Sequence, residues 1–123
     1  MQYVAVAAGA VIGANLRFVV GTWAAEHWGA DFPYGTLIVN VSGAFVIGVF
    51  LSLLGERIDV HPLWRLFFAT GLLGGYTTFS SYAWEALTLA QDGALLRAAV
   101  YIIASNLVGL LGVWLGAILG RVI

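Results

Sequence analysis

The chain has 123 residues, 62% of them hydrophobic and 9% charged, with a mean hydropathy of +0.98 and a formal charge of −1. Soluble domains carry roughly a quarter charged residues, so this composition belongs in a bilayer. Five arginines without a lysine exclude a basic nucleic-acid surface and a polybasic lipid anchor, and the absence of cysteine excludes disulfides and thiolate metal centres.

The first residues, MQYVAVAAG, carry no positive charge of the kind that opens a signal peptide, and the apolar run behind them is too long for a signal core. A first spanning helix is predicted over 3–25, with Arg17 inside it. EHWGADFP is a loop, and a second span follows over 34–54. GERIDVHP is the next loop, with Pro62 placed to open a helix. A third span covers 63–89, AQDG turns the chain, and a fourth covers 95–119 before Arg121. Each segment reaches the roughly 20 residues needed to cross a hydrocarbon core of about 30 Å. Lipid offers no hydrogen bonds, so the backbone must satisfy itself as helices; barrel strands would alternate in polarity, and these segments do not. The expected fold is an all-α membrane protein, a single domain over 1–123 built of four transmembrane helices.

With four spans, both termini and the second loop share one side, which carries Arg57, Arg65 and Arg121. The other side carries Arg97 and Arg17. Orientation follows the excess of arginine and lysine in short loops, and here the excess is small. Two readings stand: termini inside, or a chain that inserts both ways and pairs antiparallel with itself. Gly9 and Gly13, Gly71 and Gly75, and Gly112, Gly116 and Gly120 recur at four-residue spacing, which lets helix backbones approach closely. Four helices scarcely enclose a pore and its wall, so a transport function implies an oligomer, most simply a two-fold dimer.

The third span holds GLLGGYTTFSSY, in which a glycine pair precedes six hydroxyl-bearing residues between Tyr76 and Tyr82. Polar groups at membrane depth are costly and need a partner or a task. In the second span Thr36 and Asn40 stand four residues apart on one helix face, as do Tyr101 and Ser105 in the fourth. Asn106 is rotated about 100° from Ser105 and need not share its face. No Asp, Glu or His lies deep in the first, second or fourth span. Glu85, near the end of the third, reads as a mouth residue or an inter-helix contact. Arg17 reads as snorkelling to the headgroups, with anion attraction at a mouth as the alternative. Phe79 and Tyr82 stack along one face and could turn positive ring edges to an anion, although packing is the commoner role of such pairs. His27 and His61 fall in loops and read as solvated. No spacing suggests a nucleophile with its base, so no enzyme is expected. Donor-rich, acid-poor and buried in lipid, the pattern suggests an anion path.

The stretches GAVIGANLRF, GTLIVNVSG and HPLWRLFFATGLLGGYTTFSSYAWE resemble the CrcB/Fluc fluoride channels over essentially the whole chain. The run TG-x-x-GG-x-TTFS in the third span is the most specific part of the likeness. The resemblance implies four-helix subunits, with the third helix broken near mid-membrane, paired as an antiparallel, dual-topology homodimer. It implies two fluoride pores per dimer and passive export of fluoride across the cytoplasmic membrane of a prokaryote. It also implies a central structural sodium ion held by the backbone carbonyls of Gly74 and Thr77 from both subunits. The fluoride path would include Asn40, Phe79, Tyr82, Tyr101 and Ser105, with Thr36, Thr78, Ser80, Arg17 and Glu85 in support. Tyr82 and Gly109 depart from the family pattern, in which phenylalanine and, in some relatives, a hydroxyl stand there. Two alternatives are a small dual-topology proton-coupled drug exporter, which needs a carboxylate in the first span that is absent here, and a non-transporting membrane subunit.

Overall fold

A computed structural model describes residues 1–56 and 58–123, so Arg57 and its share of the charge bias lie outside the described residues. Helix α1 covers Gln2–Trp28 and ends at Gly29, whose φ of 77° needs a residue without a Cβ. Helix α2 covers Tyr34–Glu56. Helix α3, Pro62–Arg65, opens on its proline, and the His61 ring accepts from the Leu63 amide at 3.2 Å. His61 is therefore a helix cap, not a merely solvated loop residue. A π-helical segment, Leu66–Leu73, continues from α3 into the short α4, Gly74–Tyr76. Thr77 and Thr78 are extended, with φ/ψ of −85°/156° and −149°/114°. Helix α5 then covers Phe79–Gln91, Gly93 turns the chain with φ 81°, and α6 covers Leu95–Val122. No strand occurs among the described residues.

Among the described residues three helices, α1, α2 and α6, are long and apolar enough to cross a membrane. The region predicted as the third span is a series of shorter helical pieces around two extended residues. Large apolar side chains stay uncovered along both long faces, among them Val11 and Phe18 on α1 and Leu107 and Trp114 on α6. Lipid contact accounts for that pattern, since tails are as apolar as the side chains themselves.

Two close seams hold the chain together, α1 against the π segment with α4, and α2 against α6. The spaced glycines lie in these seams. A methyl group at Gly9 or Gly13 would strike the carbonyl of Phe67 or Leu72, and one at Gly116 would strike that of Phe45. A methyl at Gly120 would sit 2.5 Å from the Val49 carbonyl. The glycine spacings are thus contacts within one chain.

The pair Gly74–Gly75 does not itself break the helix. Both residues are helical, neither has a positive φ, and the backbone leaves the helix only at Thr77. Gly75 permits contact with α1, because a methyl there would lie 2.9 Å from the Ala10 carbonyl. Gly74 faces open space, with nothing nearer such a methyl than the Ala69 carbonyl at 3.7 Å.

Candidate ion path

The extended residues are clasped from α2. Asn40 Nδ2 donates to the Thr78 carbonyl at 3.0 Å, and the Thr78 amide donates to Asn40 Oδ1 at 2.7 Å. A backbone amide can only donate and a carbonyl can only accept, so this pairing fixes the Asn40 orientation. In a continuous helix the Thr78 amide would serve the Gly74 carbonyl. Thr78 also caps α5, with its Oγ1 accepting from the Ser81 amide at 3.2 Å. That amide would otherwise serve the Thr77 carbonyl. The clasp and the cap together release the carbonyls of Gly74 and Thr77 from their helical donors.

The hydroxyl run is largely engaged locally. Thr77 Oγ1 donates to the Leu73 carbonyl at 3.0 Å, and Thr78 Oγ1 donates to Ser81 Oγ at 3.0 Å. Ser80 Oγ lies 3.4 Å from Thr78 Oγ1 on the exposed side. Tyr76 reaches α2, where its hydroxyl lies 3.0 Å from Ser42 Oγ.

Arg17 turns across to a neighbouring helix. Its Nε donates to the Gly75 carbonyl at 3.0 Å, although the two residues are far apart in sequence. One turn of α4 is thereby tied to α1 next to the extended residues. Nothing in the sequence marks this bond, because its acceptor is a backbone group.

A cavity of about 490 Å³ opens beside this region, lined by Asn40, Gly74, Thr77, Phe79, Tyr82 and Ser105 among others. The structure so gathers predicted residues from α2, α4, α5 and α6. Phe79 is 78% exposed, and its ring centroid lies 5.5 Å from that of Tyr82. The Tyr82 ring lies 5.3 Å from Tyr101, which lies 5.5 Å edge-on from Phe32. Tyr101 is fully buried and its hydroxyl has only the Thr36 side chain near it, short of full hydrogen-bond geometry, while Ser105 Oγ has no partner among the described residues. Buried polar atoms are rarely left unpaired, so each such orphan marks a place for another group.

A second cavity of about 490 Å³ lies at one end of the bundle, lined by Phe32, Thr36, Glu85, Asp92 and Arg97 among others. Glu85 accepts from the Thr36 hydroxyl at 2.7 Å, an inter-helix contact, and it lines this second cavity. The predicted donor Thr36 is occupied by that bond. The Tyr101 ring touches Tyr82, which lines the first cavity, and Phe32, which lines the second.

One residue of this site was not expected. Asn106 also lines the first cavity, and its Nδ2 donates to the Tyr82 hydroxyl at 3.0 Å. Its rotation from Ser105 was the reason to set it aside, but the cavity is wide enough to take both faces. Its cost as an amide at membrane depth was the signal that could have found it.

The chain matches the family model described as CrcB-like protein, Camphor Resistance (CrcB), over residues 4–117. This chain belongs to the CrcB-like family. A protein named fluoride-specific ion channel FluC from Roseiflexus sp. (strain RS-1) is 50% identical over 123 residues, covering 100% of this chain and 99% of the relative. A protein of the same name from Acidobacterium capsulatum is 45% identical over 121 residues, 98% of this chain and 97% of that relative. A third, from Solibacter usitatus, is 43% identical over 121 residues, 98% of this chain and 99% of the relative. The CrcB-like match and the three long apolar helices make the chain a multi-pass membrane protein.

Proposed function

We propose that the chain is a fluoride-specific channel, acting as a passive export route for cytoplasmic fluoride and not as an enzyme. The observation that carries this reading is the pair of under-satisfied buried hydroxyls, Ser105 on the first cavity and Tyr101 in ring contact with residues of both cavities. A small hard anion sheds water only where donors replace it, and hydroxyl and amide protons with ring edges are such donors. On this line Phe79, Tyr82, Tyr101 and Ser105 form the fluoride path. Asn40 holds the path's backbone through Thr78 and keeps one amide proton for the cavity.

The pieces α3 to α5 make the third crossing in this reading, with the extended Thr77–Thr78 near mid-membrane. Irregular backbone at that depth is tolerated where it is buried by protein or lines a wetted cavity. The first cavity is open in a single chain, and a second, antiparallel copy would close it and give two paths per homodimer. The inner membrane of a prokaryote is the proposed location. The released carbonyls of Gly74 and Thr77 fit a hard monovalent cation, which takes neutral oxygen ligands, and both residues line the open cavity. Two from each subunit would hold a structural sodium ion on the two-fold axis. Bound there, sodium would supply the charge that offsets the unpaired carbonyls. Arg17, tied to Gly75, positions the turn between them.

Fluoride-electrode efflux from proteoliposomes tests the reading, with chloride efflux measured beside it. Rapid fluoride loss with no chloride loss is expected, and equal leakage of both ions would sink the proposal. Sodium adds its own test. Exchange of sodium for a large organic cation during purification should lower the melting temperature of the detergent-solubilised protein. Binding at about a hundred times Kd stabilises by about 2.7 kcal/mol, so the shift should be several degrees. An unchanged melting temperature would remove sodium from the proposed site.

A further inference from the structure

The Tyr82–Asn106 pair has a polarity fixed by a third atom. Asn106 Nδ2 lies 2.9 Å from the Ile102 carbonyl and 3.0 Å from the Tyr82 hydroxyl. The Ile102 carbonyl can only accept, so the atom facing it must be the amide nitrogen. That nitrogen cannot accept, so the Tyr82 oxygen receives its second proton. The phenol proton of Tyr82 is then left over, and no acceptor for it exists among the described residues. Tyr82, Asn106 and Ser105 line one cavity, and Ser105 Oγ there is also without a partner.

We infer that Asn106 is a positioning residue that turns the Tyr82 phenol proton into the cavity, making Tyr82 a hydrogen-bond donor to a small hard anion. The Asn106 bond strengthens that donor, because accepting one hydrogen bond polarises the O–H that donates the next. A phenylalanine at this position has only a ring edge to offer. Tyr82 therefore adds a full donor between the exposed Phe79 ring and the buried Tyr101. The inference rests on the fluoride-channel reading above.

The experiment measures fluoride efflux from proteoliposomes over a range of internal fluoride for the parent chain, Tyr82→Phe, Asn106→Leu and the double variant. If the parent passes no fluoride, the functional reading fails. If the parent passes fluoride, the inference is tested alone. Tyr82→Phe should raise the half-saturating fluoride concentration about tenfold or more, as expected for losing a hydrogen bond to a charged group. Asn106→Leu should raise it in the parent and add little in the Tyr82→Phe background. An unchanged half-saturation in Tyr82→Phe would overturn the inference, as would additive effects in the double variant. Tyr82→Phe keeps the ring and its packing, so it decides the matter even if Asn106→Leu fails to fold.

Discussion

Replacing Asn40 by aspartate is expected to abolish fluoride efflux. The carboxylate can still accept from the Thr78 amide, but it has no proton for the Thr78 carbonyl, which Asn40 Nδ2 reaches at 3.0 Å. One arm of the clasp becomes a contact between two acceptors. The new charge also borders the cavity that Phe79, Tyr82 and Ser105 share. Two like charges about 4 Å apart repel by roughly 4 kcal/mol at an effective dielectric of about 20. Added to a barrier, that slows passage by roughly a thousandfold. Asn40→Leu separates the two causes, since it removes the clasp without adding charge. It leaves the Thr78 amide unpaired, at a cost of about 1–3 kcal/mol. Efflux measured by electrode should be undetectable for Asn40→Asp, and the melting temperature should fall for both variants. Parent-like flux in Asn40→Asp would contradict the placement of Asn40 beside the path.

The second large effect is expected at Gly13. A valine there would drive its side chain into the Leu72 carbonyl, with the Tyr76 amide 2.9 Å from its Cβ. Both obstacles are backbone, so no rotamer change relieves them, and α1 must retreat from the π segment and α4. Overpacking a seam typically costs about 1–3 kcal/mol and more where backbone blocks relaxation. Retreat would also stretch the Arg17 bond to the Gly75 carbonyl. Gly13→Val should yield little monodisperse protein on size-exclusion chromatography. Gly21 on the same helix is the control, because a methyl there meets nothing within 4 Å. Gly21→Ala should be neutral or stabilise by up to about 1 kcal/mol. Equal behaviour of the two variants would mean that α1 packs through another face.

Apolar length and punctuation were enough to place α1, α2 and α6 within a few residues of their observed bounds, because loops in a chain this greasy must carry its few charges. The identity of the polar residues was also legible, since each is expensive in lipid. Their partners were not. Asn40 and Arg17 both bind backbone groups, and a carbonyl looks the same in every residue. Asn106 is not legible from its rotation against Ser105, because its partner Tyr82 comes from another helix. The helix gives way at Thr77, where the Asn40 clasp and the Thr78 cap replace helical bonds, and not at the glycine pair before it. A side chain from α2 decides that position, not the flexibility of the glycines.

The Asn40–Thr78 clasp and the Arg17–Gly75 bond are both made within one chain. In the proposed antiparallel dimer each subunit would therefore shape its half of the cation cradle alone, in whichever direction it entered the bilayer. Two halves made this way would meet already shaped, leaving little ordering for the moment of pairing. Biogenesis would then be tolerant of orientation at the level of the single chain and selective only when opposite copies find each other. Assembly would be limited by encounter in the plane of the membrane, not by folding.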